Sequence, residues 1–526
     1  MSIRVIFGRL LPSLALQKLT LSHCANPPTK LFLSIKRRAL QALLASLGAG
    51  SVDALASPWI DAGNARARHH IQFLVDSGAM NIPTSTWPLA WTSVKQGLDR
   101  IRSSGLTKAQ AWSFNYLQHE LQLVMDGAYT QSRSRLSGGP QVLEGFESTS
   151  REAKEFQTGI TYTGNTFAMK ITGTFVDDPS DGKRGRIDGS YLALLLGNWA
   201  TGVGAIDQWW GPGWHSSMIL STNARPAPGF FVKRNRTDAF ETPLLSWLGE
   251  WQFTTFVNQL QDKTGLIEKP LLWGARLSAT PLQGLEIALS RTAMWAGDDD
   301  TESTQALQDV LLGNNETFRS NSSHLKQSNQ IGGFDVRYGF AVGSTLMAFY
   351  GQVTGESGDN GLPSSNIAMG GLEFSRMLFN SHHRIAFEGS NSIVSFYQDN
   401  ALYNSAYEHG TYETGYRHLG RPIGASSDGD SEVISLAGQH YFENGHQLTW
   451  RLAHADLNRD GTERSAPGGG AFGPTRTKID NTQIQYRLPL NNRLMLEVGG
   501  SHLSNSVILN GKDVKTTLHI SLFHHW

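Results

Sequence analysis

The sequence predicts an all-β transmembrane barrel of about 18 antiparallel strands, preceded by a small N-terminal α-helical bundle. Three observations predict it. Beyond about residue 127, apolar and polar residues alternate with a period of two. The connections between those stretches alternate short and long, as in a barrel with tight turns on one side of a membrane and long loops on the other. Composition agrees: 17% of the 526 residues are charged, aromatics make up 10%, Gly numbers 55, and mean hydropathy is −0.29. Strands facing lipid on one side and a polar lumen on the other average out as polar. Past the N-terminal region no run of 18 or more apolar residues occurs, which excludes a helical membrane protein.

Residues 1–56 have the pattern of an export signal with an over-extended start. Lys36-Arg37-Arg38 is a basic region, "ALQALLASLGAG" a short apolar stretch, and Ala54-Leu55-Ala56 an A-x-A cleavage site. Cys24, the one cysteine, lies before the cut, so the mature chain holds no disulfide. Seven of the 45 basic residues and one of the 45 acidic residues also lie before it. The remainder is mildly acidic, and nothing in its charge draws it to nucleic acid.

Residues 57–126 carry a helical period. Ile71, Leu74 and Val75 share one helical face, and Gly78 follows as a natural terminator. Val94, Leu98 and Ile101 mark a second helix; Phe114, Leu117, Leu121 and Val124 mark a third, with Thr107 as its N-cap. The expected domain is a bundle of about three helices.

Residues 127–526 form the expected barrel. Strands are placed near 250, 271, 285, 330, 344, 366, 384, 432, 446, 479, 493 and 515, with six more between 127 and 250 if 208–228 is a single excursion. Short connections fall at 280–284, 339–343, 379–383, 443–445 and 489–492; Asn444-Gly445 is a tight-hairpin pair. Long ones fall at about 297–329, 355–365, 397–431 and 457–478. The chain ends in a strand with Phe523 and Trp526, an aromatic ending common in outer-membrane barrels.

The segment "IDQWWGPGWHSSMILS" (206–221) holds Trp209, Trp210 and Trp214 around a Gly-Pro-Gly kink that neither a helix nor a central strand tolerates. Two roles are open to it: packing inside the barrel, or a rigid platform on which sugar rings stack. Arg225, Lys233, Arg234 and Arg236 follow, a basic cluster that suits an acidic glycan or pairs with lumen carboxylates. The candidate polysaccharide-binding residues are Trp209, Trp210, Trp214, Arg225 and Arg234.

Other constellations carry less. Asp298-Asp299-Asp300, Asp428 with Asp430, and Asp456 with Asp460 lack EF-hand spacing. The pairs His69-His70, His382-His383 and His524-His525 fall on a helix, a short turn and the last strand, where neighbours face opposite ways, and none is read as a metal site. No cofactor and no catalytic residue is expected.

The order of eight segments resembles one family. "SPWIDAGNARARHHIQFLVDSGAMNIPTSTWPLAW", "DGKRGRIDGSYLALLLGNW" with "DQWWGPGWHSSMILSTNARPAPG", "LSWLGEW", "PLQGLEIALSRTAMWAGD", "QIGGFDVRYGF", "YGQVTGE", "YETGYRHLGRPIGASSDGDS" and "TKIDNTQIQYRLPL" are similar to Wzi-type capsule-assembly proteins of Gram-negative outer membranes. The resemblance implies an 18-stranded outer-membrane barrel whose loops close the pore, with the N-terminal helical bundle (57–126) on the periplasmic side. It implies a surface lectin without enzymatic activity, holding capsular or extracellular polysaccharide on the cell. Its other partners would be outer-membrane lipid and periplasmic polysaccharide-export machinery. A sugar-selective porin is the alternative, and the volume of its loops would separate the two.

Overall fold

A computed structural model describes residues 59–525 except 126, 148–150, 262–268, 296, 298–327, 358–362, 411 and 463–470. The export-signal expectation, the Asp298–Asp300 cluster and Trp526 lie outside the described residues.

Three helices precede the strands: α1 (Ala65–Asp76), α2 (Trp91–Asp99) and α3 (Lys108–Met125). The Asn64 side chain caps α1 by accepting from the Ala67 amide at 3.0 Å. Gly78, at φ +76°, ends it by turning the chain left-handed. At the start of α3, Thr107 Oγ1 accepts from the Gln110 amide while the Gln110 side chain accepts from the Thr107 amide, a reciprocal box.

The strands are β1 (Ala128–Ser137), β2 (Lys154–Thr163), β3 (Phe167–Asp177), β4 (Tyr191–Leu196), β5 (Trp199–Gly204), β6 (Gly229–Arg234), β7 (Glu250–Gln259), β8 (Leu271–Leu282) and β9 (Leu285–Trp295). They continue as β10 (Asn329–Val342), β11 (Thr345–Ser357), β12 (Pro363–Leu378), β13 (Ser381–Asn391), β14 (Glu432–Phe442), β15 (Gln447–Leu457), β16 (Thr477–Pro489), β17 (Leu494–Leu509) and β18 (Lys512–His525). Each pairs antiparallel with its neighbours, and β18 closes on β1, with His519 opposite Ser137 and His525 opposite Gln131. A two-residue piece, Gly185–Arg186, extends β4 along β3. Closure satisfies every edge, the condition for backbone to cross hydrocarbon.

Six strands precede residue 250, and 205–228 is one excursion, so "SMILSTNA" is not a wall strand. One turn departs from the expected alternation: β6 and β7 are joined on the short-turn end by residues 235–249. On the other end β11 and β12 extend to Ser357 and from Pro363, which shortens the long loop expected at 355–365. The β17–β18 connection there is the pair Asn510-Gly511, with φ +49° and +78°, the left-handed pair of a tight hairpin.

The period of two sorts side chains by face. Along β9, Glu286, Ala288, Ser290 and Thr292 point inward and are buried, while Leu289 faces out; along β12, Met369, Glu373 and Ser375 point in, and Leu372 and Phe374 out. Phe334, Phe349, Phe387, Leu452 and Leu518 continue this outer apolar surface around the wall. Such a belt is stable against lipid and not against water.

The lumen is occupied. From the short-turn end, the N-terminal segment enters the barrel: Gln283, in the β8–β9 turn, donates to the Val75 and Met80 carbonyls at 3.0 and 2.9 Å. Apart from Arg66, every residue of α1 is buried, including Arg68, His69, His70 and Gln72. The polar face of this helix therefore meets the polar inner wall and not water.

Candidate functional site

The tryptophan excursion is the other half of the plug. Trp209 and Trp210 pair in a two-residue ribbon with Trp87 and Thr86. Phe146 stands at the centre, edge-on to Trp87, Trp209 and Trp214 at 5.1, 5.6 and 5.8 Å between ring centres. The guanidinium of Arg68 lies 4.3 Å from both the Phe146 and Trp214 rings and donates to the Pro212 carbonyl at 2.6 Å. The kink has a steric reason. A Cβ on Gly213 would sit 2.3 Å from the Ser216 carbonyl oxygen and 2.5 Å from the Met369 methyl. Glu388 of β13 accepts from the amides of Trp214, His215 and Ser216 and from the Tyr350 hydroxyl, so one wall carboxylate organises the loop after the kink.

This corrects the assignment of sugar contacts. Trp209, Trp210 and Trp214 are 1%, 0% and 2% exposed, so no indole face is open to a sugar ring. Of the two roles open to them, packing holds. Nor do Arg225 and Arg234 form one basic surface. Arg225 precedes β6 and Arg234 is its last residue, so the six-residue strand, roughly 17 Å of rise, lies between them. Arg225 is bound by Asp181 and bidentately by Asp188. Arg234 lies 3.6 Å over the Trp251 ring and donates to the Asp238 and Trp251 carbonyls. Lys233 is buried and donates to the Pro88 carbonyl. Of the three, Arg225 pairs with carboxylates, the second of the two readings the sequence left open; Arg234 and Lys233 are held by backbone carbonyls.

Plug and wall share a network of buried charge. Arg276 (β8) binds Asp335 (β10) at 2.6 and 2.9 Å and the Ser85 hydroxyl at 2.7 Å. Glu286 accepts from the Thr84 and Ser85 amides at 2.7 and 3.1 Å. Arg337 (β10) forms a fork on Asp76, the last residue of α1, at 2.6 and 2.8 Å, and reaches Glu373 (β12). Glu373 also binds Arg384 (β13) and accepts from the Trp214 indole at 2.7 Å. Buried charges are tolerable only when so paired.

The opposite surface, at the long-loop end, is open. Loop 392–431 covers the lumen from that side: the Tyr407 hydroxyl donates to the Met218 carbonyl at 2.6 Å, and Ser221 bonds the Gly424 carbonyl. Its outer face carries Phe396, Tyr397, Leu402 and Tyr403, with Tyr397 59% exposed. The Phe396 and Tyr397 rings meet edge-on at 5.5 Å. The stretch is held by a Val394–Leu402 bridge and by the Ser395 amide on the Asn366 carbonyl at 2.9 Å. Tyr403 lies beside Arg476, which with Arg459 and Lys478 surrounds Asp456. Arg459 also holds Glu432 at 2.9 Å, leaving three cations against two carboxylates. Sequence reasoning missed these rings, although "SFYQDNALYN" is an aromatic-rich run inside a polar loop.

Two histidines of the long-loop half of the plug are held neutral. Burial, then Arg451 and Arg68, pushes His215 well below the usual imidazole range. Burial, then Arg225, lowers His418 to about 4. A base with a depressed folded-state pKa contributes stability that is complete above the unfolded pKa, about 6.5. It is lost as pH falls from there toward the folded value, because the unfolded state then binds more protons. Acidification from pH 7 to 4.5 is therefore expected to loosen this half of the plug, seen as rising conductance of the purified barrel in planar bilayers.

The described structure defines a class: an 18-stranded antiparallel barrel of the outer-membrane type, with a lumen filled by its own N-terminal segment and an inward excursion. A family model described as capsule assembly protein Wzi matches residues 124–518, and the chain belongs to that family. It is 29% identical over 399 residues to an uncharacterized 55.8 kDa protein in the cps region of Klebsiella pneumoniae, covering 74% of this chain and 76% of that one. Wzi of Escherichia coli, an outer-membrane protein involved in group 1 capsule assembly and described as a carbohydrate-binding β-barrel, superposes with a TM-score of 0.76 at 22% identity. The match covers 89% of this chain and 99% of that one, and it shows the fold. OccK5 (OpdH) of Pseudomonas aeruginosa matches at a TM-score of 0.40 and 12% identity over 76% of this chain and 97% of its own, too weak to bear on function.

Proposed function

We infer that this protein sits in the outer membrane, binds capsular or extracellular polysaccharide and holds it at the cell surface, without chemically converting it. The observation that carries the reading is the fixed, exposed aromatic face of loop 392–431, beside Arg476 and Lys478 at the start of β16, above a filled lumen. Sugar rings present C–H faces to Tyr397 and Tyr403, and uronate carboxylates would meet Arg476 and Lys478. Each contact is weak, but a repeating polymer engages many barrels at once, and the sum retains it. Family membership and the carbohydrate binding of the Escherichia coli protein support this reading. The packed interior weighs against the porin alternative.

Short turns face the periplasm in this class of barrel, which supports a periplasmic position for α2 and α3, while α1 lies inside the barrel. The outer side of α3, with Leu123 half exposed, is then a surface for export machinery.

The test is a deletion strain complemented with wild type or with Tyr397→Ala/Tyr403→Ala. Deletion is expected to move polymer from cells to medium. The double variant, with about 0.7 kcal/mol lost per ring, is expected to bind purified surface polymer about tenfold less tightly. Unchanged cell-bound polymer in the deletion strain would overturn the reading. Unchanged binding by the double variant would move the contact to another face.

A further inference from the structure

Three histidines meet where the plug touches the wall. His69 and His70 lie on α1 and His382 near the start of β13, and all three are fully buried. One ring nitrogen from each falls within a group 4.8 Å across. The ring centres form a near-equilateral triangle of 5.0, 5.2 and 5.4 Å, with planes crossing at 76°, 83° and 78°. Nε2 of His69 and Nε2 of His70 have no hydrogen-bond partner among the described residues. Buried ring nitrogens left unpartnered on three converging imidazoles are costly unmet lone pairs or N–H groups.

We propose that His69, His70 and His382 form a transition-metal site, with Zn²⁺ the fitting ion, that staples the plug helix to the barrel wall. Zinc–nitrogen bonds of about 2.0–2.1 Å put each ring centre about 3.2 Å from the ion, and tetrahedral angles then separate the centres by about 5.2 Å. The observed triangle has that size, and the ligand atoms need to close by about an ångström. Outer-shell groups stand behind the ligands. His70 Nδ1 bonds the Ser113 hydroxyl at 3.0 Å, and the Ala109 carbonyl lies beside His382. His69 Nδ1 accepts from Arg384 Nε at 3.1 Å. Ligation through Nε2 moves the ring proton to Nδ1, so Arg384 gives up that bond and keeps Gln72 and Glu373. The ligand set is neutral. Arg384 is matched by Glu373, and Arg66 stacks 4.7 Å over Tyr116, so both nearby cations already have partners. Sequence reasoning read no metal site in the adjacent histidine pairs; the fold joins one of them to a histidine more than 300 residues away.

The experiment uses the full barrel in detergent, stripped with chelator and titrated with Co²⁺ and Zn²⁺. One Co²⁺ per chain is expected, with the intense visible bands of a tetrahedral nitrogen site, displaced by Zn²⁺. His382→Phe and His70→Phe, which keep ring volume, are expected to weaken binding at least about 100-fold while the heat-modifiable migration of the folded barrel persists. X-ray absorption of the Zn²⁺-loaded wild type, which needs no variant, is expected to show a nitrogen shell of histidine type at about 2.0 Å. Absence of binding, binding indifferent to both variants, or an oxygen-only shell would each overturn the site.

Discussion

Glu373→Ala is expected to loosen the plug by about 3–5 kcal/mol, the usual effect of breaking a buried ion pair by removing one partner. Its carboxylate is shared by Arg337, Arg384 and the Trp214 indole, all buried. Arg337 keeps its fork on Asp76. Arg384 keeps only neutral acceptors, Gln72 and His69, so its charge is left buried without a counter-ion. The wall itself is expected to survive, since β12 stays laddered to β11 and β13 through its backbone. The measurement is therefore twofold: single-channel conductance, expected to rise from closed to open, and migration on unheated gels, expected to remain that of a folded barrel. A variant that stays closed would show that the ion network is dispensable for plugging.

Trp214→Ala is the second large effect, also expected at about 3–5 kcal/mol. The indole packs on Phe146, stacks under Arg68 at 4.3 Å and Arg384 at 5.0 Å, and donates to Glu373. Truncation leaves a cavity and unstacks two buried cations. Denaturant unfolding is the readout, and Trp214→Phe is expected to restore part of the loss by refilling the volume while the hydrogen bond stays missing. Because Trp214 and Glu373 touch, the double variant is expected to cost less than the sum of the singles. Additivity would mean that the two act independently.

The wall was legible because its signals are local. Inward and outward residues alternate along each strand, and tight turns announce themselves through residues such as Asn444-Gly445. The strand count followed from those signals once 208–228 was treated as one excursion. The interior was not legible in the same way. A helix with Arg68, His69, His70 and Gln72 opposite Ile71 and Leu74 has the pattern of a solvated amphipathic helix, yet these polar groups face a wall of Arg384, Glu373 and His382. A lumen lined with polar side chains stands in for water, and the helical period cannot distinguish the two.

The same limit governed the tryptophans. Their clustering and the Gly-Pro-Gly kink showed that residues 209–214 form a rigid element, and two destinations for it were open. Only the tertiary structure placed Phe146, Trp87 and Glu388 around it and so made it core. It also separated Arg225 from Arg234, neighbours in sequence, to opposite ends of β6. By itself the sequence determined the barrel, its strand number and its family. The packed fold decided which polar residues are spent on holding the plug and which side chains, such as Tyr397 and Tyr403, stay exposed at the long-loop end, because pairing between residues hundreds of positions apart leaves no period for a sequence to show.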